Sequence, residues 1–449
     1  MIVAAKLAKT ACMWTYYPEL LETPVPRYTS FPTAAEFSDA VGRGDLEQRL
    51  DRVSGDISLY VHIPFCESIC WYCGCNTGAA NRRDRLAGYL DSLAREIALV
   101  AERLDGRAQV RRIAFGGGSP NAISPTDFVR LVDTLTVHFG ISDAEWSIEL
   151  DPRTLSRDWG PVLAHVGITR ASFGVQTLSP RLQAAIGREQ PEALIADGVD
   201  LLRAAGVTSL NFDLMYGLPG QGWDDLSATL DRSVDLGADR IALFGYAHVP
   251  HLIPRQKRID ATALPDQRTR FAMAALGHDR LVEAGYRPVG FDHFALPGDP
   301  LAQVTIAGTL RRNFQGFTDD QSPVLIGLGA SAISMFPELI VQNEKNAGRY
   351  RMLLSQSHLT GVAGVHRTAS DRQRGKVIED LLCRGEAVID VPLSAAAIAG
   401  LEPFIERHLA QVSGRQLTIL PGGLPYARTI AALFDPYRQD SLRRFSSAV

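Results

Sequence analysis

The sequence predicts an α/β protein: a curved, partial (β/α)6 barrel with an N-terminal arm and a small, mostly helical C-terminal domain. Two observations predict it. Between residues 57 and 246, six short apolar runs alternate with helical patterns, and strands joined through helices pair in parallel. The side chains best suited to chemistry then fall at the strand ends, one group per strand, where the loops of such barrels carry function. The expected division is 1–55 for the arm, 56–341 for the barrel and its extension, and 342–449 for the C-terminal domain.

The arm is rich in Pro and aromatic residues and shows no sustained period before a short helix around Leu46 to Val53. It cannot bury itself, so it is expected to lie across the main domain. Strands are expected at Ile57 to Ile63, Arg112 to Phe115, Trp146 to Leu150, Arg170 to Val175, Ser209 to Tyr216 and Arg240 to Tyr246. Helical patterns separate them at Arg85 to Leu104, Pro125 to Phe139, Leu155 to His165, Pro180 to Ala205 with a break near Gly187, and Trp223 to Leu236. One start is well marked: Ser124 can cap, Pro125 takes the first helical position and Asp127 faces the free amides. A helix over Asp266 to Ala284 and an extended run over Tyr286 to Phe294 close this region. From Gln342 the alternation gives way to helical patterns at Arg372 to Leu382, Ala395 to Arg407 and Tyr426 to Leu433, with a short hairpin near Leu417 to Leu424.

Composition narrows the function. Apolar residues make up 46% of the 449 positions, yet no run approaches the length of a membrane span. A net charge of -4 gives no basic excess, so nucleic acid is not an expected partner, and an acidic substrate must be met by local arginines. The cysteines cluster and no signal-like start is evident, which places the chain in a reducing cytoplasm. Cys12 and Cys383 read as incidental thiols.

Four of the six cysteines, Cys66, Cys70, Cys73 and Cys75, lie within Tyr60 to Asn76, YVHIPFCESICWYCGCN, directly after the first strand. Thiolates select iron-sulfur clusters, zinc or monovalent copper. A closed zinc site wants four ligands, and Cys75 is too close to Cys73 for both to reach one small ion comfortably. Three ligands on a four-iron cluster leave one iron open. On the following strands, Gly116 to Gly118 let a backbone approach a ligand closely. Glu149 is a carboxylate that needs donors, and Gln176, Arg188 and Asp213 complete a polar set.

The CxxxCxxC pattern is the signature of the radical S-adenosylmethionine (SAM) enzymes, and the chain resembles one family among them more closely. The arm PRYTSFPTA, YVHIPFC with CGCN behind it, GGGSP, GVQ, GREQ, NFDLMYGLPGQ, YAHVP, RNFQGFT and GASAISM are similar to the oxygen-independent coproporphyrinogen III oxidases. The resemblance runs from about Pro26 to the C-terminus and weakens after about residue 345. Met1 to Cys12 do not share it, so Met13 is expected to be the natural start.

The resemblance implies a 4Fe-4S cluster on Cys66, Cys70 and Cys73, with Cys75 not a ligand, and two SAM molecules. Tyr60, Gly117, Glu149 and Ile333 would contact the first. Tyr72, Gln176, Arg188, Asp213 and Ala247 would contact the second, and Gly117, Gly118 and Ser119 match the stretch that lines SAM. It further implies oxidative decarboxylation of two propionates of coproporphyrinogen III to vinyl groups in haem biosynthesis, by a cytoplasmic monomer served by an electron donor and an acceptor. Arg27, Arg311 and Arg312 are candidates for the propionates, while His62, Asp292 and His293 could serve either the site or the core. The rival within the family is a haem chaperone or haem-utilisation protein; a zinc-stapled barrel lacks the other motifs. Gly245, where relatives can have Asn, and CRGEAVID near residue 383 depart from the family pattern.

Overall fold

The structure, a computed structural model, describes residues 14–80, 83–392 and 395–438. The start expected at Met13, and Cys12, lie outside the described residues. Six parallel strands form the frame: β1 Gly55–Ile63, β2 Ala108–Gly117, β3 Glu145–Leu150, β4 Ile168–Gln176, β5 Ser209–Tyr216 and β6 Arg240–Gly245. β1 shows why they sit centrally. Ile57, Leu59, Val61 and Ile63 are all but fully buried, and Ser58 and His62 on the other face are below a tenth exposed, as in a strand covered on both sides.

The helices between the strands cover the sheet. In Pro125–Phe139 the Ser124 hydroxyl accepts from the Asp127 amide, and Gly140 ends the helix in the left-handed region at φ 61°. Phe128, Leu131, Val132 and Leu135, spaced on one face, are buried, each worth about 1.5–3 kcal/mol of transfer free energy.

The sheet is larger than the six units expected. Four further strands precede β1 in the order β12-β11-β10-β9 and two follow β6, β8 then β7. These are β7 Arg287–Val289, β8 His293–Ala295, β9 Val324–Leu328, β10 Ile333–Phe336, β11 Leu339–Asn343 and β12 Gly361–His366. β9 pairs in parallel with β1 and the strands beyond it run antiparallel. The run expected over Tyr286 to Phe294 is a turn between two short antiparallel strands, β7 and β8. The sheet also curls. Ser58 of β1 and Arg240 and Phe244 of β6 line one lumen of about 340 Å³. Five strand spacings separate them, roughly 24 Å in a flat sheet, so only a wrapped sheet brings them together.

Asp319 closes one end of the barrel. It accepts hydrogen bonds from Arg112 (2.5 and 3.0 Å) and Arg170 (2.9 and 2.7 Å), from strands β2 and β4. Burial alone would raise its pKa, but the Arg112 and Arg170 guanidiniums hold it well below the usual carboxylate range.

The arm straps the barrel to the C-terminal segment. Leu20, Leu21, Val25, Tyr28 and Phe31 share a core with Leu381, Phe404 and Tyr426, and Phe271 of the helix Gln267–Glu283 joins them. Tyr28 donates to Asp435 (3.0 Å), and Arg312 donates to the backbone carbonyls of Tyr28 (3.1 Å) and Arg27 (3.0 Å). The boundary expected at 341/342 falls inside β11, and the main sheet continues to His366. β11 is buried along its whole length, so its pattern carries no alternation to mark it. Beyond it the helices Ala369–Arg384 and Ala395–Glu406 stand where the periodicity places them. They are joined by a three-stranded sheet of Glu386–Val388, Gln416–Ile419 and Ala410–Ser413, so the hairpin expected near Leu417 to Leu424 lies a few residues earlier.

Candidate functional site

The cysteine loop leaves β1 over the strand C-termini and is pinned there by backbone hydrogen bonds. Gly118 donates to the Ile63 carbonyl (2.9 Å), Ser119 to Phe65 (2.8 Å) and Trp71 to Ile186 (3.1 Å). A cavity of about 200 Å³ opens between loop and strand ends. Cys66, Cys70 and Cys73 line it together with Tyr72, Gly117, Gly118, Glu149, Gln176, Arg188 and Asp213. Glu149, Ser172 and Asp213 also line the lumen, so the two spaces meet.

The three glycines each answer a different neighbour. A Cβ on Gly116 would lie 2.7 Å from the Glu149 carboxylate, and one on Gly117 would lie 2.4 Å from the His62 ring. One on Gly118 would lie 2.5 Å from the Phe65 carbonyl. Gly117 is also in the region that disfavours side chains, at φ 110°. The stretch thus lets carboxylate, imidazole and cysteine loop close on one strand end. Gln176 is a non-glycine residue at φ 67°, strain of the kind that gathers at functional sites.

The thiols are held as donors for a soft metal. Hydrogen bonding from the Cys75 thiol brings the Cys73 pKa down to about 6 against the opposing effect of burial, and the Cys75 amide also donates to Cys73 Sγ (3.4 Å). Cys70 Sγ accepts from Arg188 (3.2 Å) and Arg153 (3.4 Å), and Cys66 Sγ from Thr77 (3.2 Å). Burial pushes the Cys66 thiol up to about 11. Cys66, Cys70 and Cys73, each with a donor or cation beside its sulfur, face one cavity that Cys75 also lines, and they fit an iron-sulfur cluster.

Around them lies a polar ring. Glu149 opens onto the cavity, yet the protein mass about it raises its pKa to about 7, with the Gly117 amide (3.2 Å) opposing. Burial raises Asp213 as well, although it accepts from Asn211 (2.9 Å) and Ser172 (3.2 Å). Burial would raise Asp151 too, but hydrogen bonding from Arg153 (2.6 Å) and the Arg188 charge (3.1 Å) keep it below the usual range. Asp151 and Arg153 were not singled out from the sequence. Their only signal was position, directly after Glu149 at the end of β3.

Four of the expected SAM contacts, Tyr60, Ser119, Ala247 and Ile333, stand outside the cavity lining. Tyr60 is held by its hydroxyl against His62 Nδ1 (3.3 Å). His62, with its Nε2 3.3 Å from the Ser331 hydroxyl, is pulled by burial to a pKa of about 4 and stays neutral. Ser119 turns its hydroxyl to Asn121 (2.5 Å) and presents its backbone to the loop. Ile333 begins β10, half-buried. Ala247 is tied to the cysteine loop through Gln256, whose amide donates to the carbonyls of Tyr72 (2.9 Å) and Ala247 (3.0 Å); no sequence signal marks Gln256. Asp292 is bonded to His293 Nδ1 (2.7 Å), and His293 lines the lumen. Of the candidate arginines, Arg311 is not brought to this face, because it is paired with Glu379 (2.8 Å). Arg312 donates to the arm backbone through Nε and Nη2 and leaves its buried Nη1 without an acceptor. Cys383 is buried, and burial raises its thiol above the range in which it would be reactive.

A curled parallel sheet with a three-thiol loop after its first strand and a glycine stretch after its second defines a radical SAM protein. The radical SAM superfamily model matches residues 60–232. The oxygen-independent coproporphyrinogen III oxidase of Bradyrhizobium diazoefficiens is 39% identical over 95% of this chain and 98% of its own. That of Pseudomonas aeruginosa is 38% identical over 94% and 96%. The solved coproporphyrinogen III oxidase of Escherichia coli, described as a radical SAM enzyme, superimposes with a TM-score of 0.87 at 33% identity, covering 95% of this chain and all of that one. The chain belongs to the oxygen-independent coproporphyrinogen III oxidase family.

Proposed function

We propose that the chain oxidatively decarboxylates two propionates of coproporphyrinogen III to vinyl groups without oxygen, giving protoporphyrinogen IX. The carrying observation is the single cavity in which Cys66, Cys70 and Cys73, with Cys75 beside them, face a polar set drawn from three different strands and the Arg188 loop. At each propionate the reaction removes a hydrogen atom from the β-carbon, one electron and carbon dioxide. When bound, the 4Fe-4S cluster and SAM supply the 5'-deoxyadenosyl radical for the first of these.

The protein's part is to bind, orient and exclude water, as is usual with such cofactors. Cys66, Cys70 and Cys73 would hold the cluster, and Arg153 and Arg188 would offset its negative charge beside Cys70. Glu149, ionised, accepts hydrogen bonds from ribose hydroxyls, and the Gly117–Gly118 backbone admits SAM close to the strand end. The junction of cavity and lumen supports a second SAM on Tyr72, Gln176, Arg188, Asp213 and the Ala247 loop. No side chain is needed as a base for the hydrogen removal. The buried neutral His62 positions Tyr60, which with Glu149 and Ile333 would border the first SAM.

The test is an anaerobic assay of reconstituted protein with dithionite, SAM and coproporphyrinogen III, with cell extract supplying an electron acceptor. Two vinyl groups per substrate, with 5'-deoxyadenosine released, are expected. SAM cleavage or haem binding without decarboxylation would refute the reading. Among the described residues no helix is long and apolar enough to cross a membrane.

A further inference from the structure

We propose that Arg255, Lys257 and Arg258, on the outer side of the cysteine loop, dock a small acidic electron-carrier protein that reduces the cluster. It rests on the functional reading above, in which each SAM cleaved takes one electron that no side chain of the site supplies. Electron tunnelling falls steeply with distance, so a carrier has to settle over the loop that holds the ligands. The cavity side is the proposed seat of SAM, which leaves the outer side. Between Pro64 and Thr77 the loop itself has one charged residue, the exposed Glu67. Positive charge comes from the segment laid against it, the short 3-10 helix Pro254–Arg258, which reads PRQKR. Lys257 and Arg258 are exposed and Arg255 is half-buried.

This segment is fastened to the cysteine loop. Gln256, buried within it, donates to the Tyr72 carbonyl (2.9 Å) and accepts from the Val249 amide (2.6 Å). The Arg258 guanidinium lies over the Trp71 ring (4.6 Å). The same ring lies so close to Gly187 that a Cβ there would be 2.5 Å from it. Trp71 stands between the ligands Cys70 and Cys73 in the chain and is half-buried, so one side chain leads from the exposed guanidinium to the ligand loop. Arg255 is the inner charge. Its Nη1 is buried without an acceptor, and after the larger effect of the Cys75 hydrogen bond its charge also favours the Cys73 thiolate. Leu252, 54% exposed on the preceding turn, adds an apolar contact.

The three bases are not spent elsewhere. On other faces Arg181, Arg203 and Arg232 are paired with Asp225, Asp239 and Glu192. Among the described residues no carboxylate pairs with Arg255, Lys257 or Arg258. Asp260, the next acid in the chain, accepts from the Thr262 amide (2.9 Å) and hydroxyl (2.6 Å) instead. The chain as a whole carries a charge of -4 and would repel an acidic protein from most directions. A local basic cluster over the ligand loop then steers such a protein to the one face from which transfer is short. In the transfer one electron leaves the reduced carrier and enters the cluster; the carrier is oxidised and the cluster reduced by that electron, and no bond or proton changes hands.

The test is a calorimetric titration of the reconstituted protein with an acidic flavodoxin and an acidic ferredoxin, both oxidised, alongside 5'-deoxyadenosine formation driven by each carrier in its reduced form. At least one carrier should bind, more weakly as ionic strength rises through about 0.15 M, where the screening length is about 8 Å. Lys257→Glu and Arg258→Glu should each weaken that binding, and slow the carrier-driven reaction at limiting carrier, about 5- to 10-fold. Iron content should be unchanged, and the dithionite-driven reaction, which bypasses the carrier, should stay within about twofold. If Arg258→Glu loses iron through its contact with Trp71, Lys257→Glu decides. Equal binding and equal carrier-driven rates in wild type and folded Lys257→Glu overturn the docking surface, as does a wild type that binds neither carrier. Both results leave the functional reading standing if dithionite still supports decarboxylation of coproporphyrinogen III. A wild type that cleaves SAM with dithionite but does not decarboxylate overturns that reading, and the docking surface is then decided by the carrier titration.

Discussion

Replacing Gly118 by Ala places a methyl group where β2 meets the cysteine loop. Its Cβ would lie 2.5 Å from the Phe65 carbonyl oxygen, 2.7 Å from the Phe65 nitrogen and 2.9 Å from the Ile63 carbonyl. Carbon contacts are comfortable near about 3.5 Å, so the two backbones must part by about 1 Å. All three atoms are main chain, and no side chain can rotate away. The separation would break the bonds from the Gly118 and Ser119 amides to Ile63 and Phe65, about 0.5–1.5 kcal/mol each. The larger effect is on geometry, because Phe65 immediately precedes Cys66 and Gly118 lines the cavity. A misplacement of about 1 Å typically costs about 100-fold in rate. Gly118→Ala should therefore lower propionate decarboxylation and 5'-deoxyadenosine formation about 100-fold at saturating SAM. Gly44→Ala, in a helix with nothing within 4 Å of the new methyl, should be neutral or slightly stabilising. Activity of Gly118→Ala within about twofold of wild type, at equal iron content, would refute the clamp; the twofold limit is about 0.4 kcal/mol.

Cys70→Ala should fail to hold a 4Fe-4S cluster, whereas Cys75→Ser, whose hydroxyl can still donate to Cys73, should retain it; iron analysis and visible absorbance after anaerobic reconstitution separate the two. SAM affinity should be flat above pH 7 and fall as the pH drops below about 7, because burial raises Glu149 to about 7 and only the carboxylate accepts fully from ribose; Glu149→Gln should flatten the profile, and calorimetric titration across pH 5.5–8.5, roughly the span bracketing that value, checks it. Asp319→Asn should cost about 1.5–3 kcal/mol of stability by removing charge-assisted bonds to Arg112 and Arg170, which keep Glu145 as a partner, read from urea unfolding. Since the folded pKa of Asp319 is depressed, its contribution is fully present above the unfolded value of about 3.9 and is lost as pH falls toward the folded one. The difference between wild type and variant should thus shrink below about pH 4.

The sequence by itself determined the local and the repetitive features. Period and turn residues located the six strands and their helices, since a strand covered on both faces needs an unbroken apolar run and a helix needs a striped one. The thiol spacing at Cys66, Cys70 and Cys73 and the glycines before Ser119 marked the chemistry, because both act over a few residues of chain. Short elements without a period of their own were illegible: β9 to β12 extend the barrel sheet past the boundary expected at 342, and Glu386–Val388 joins a small sheet. Only the tertiary structure decided which charged side chains meet. Arg27, Arg311 and Arg312 look alike in sequence, yet the first lies over the Phe244 ring and donates to the Gly245 carbonyl, the second pairs with Glu379 and the third holds the arm. The reason is physical: a guanidinium's role is set by which carboxylates, carbonyls and rings surround it, and those come from segments hundreds of residues apart.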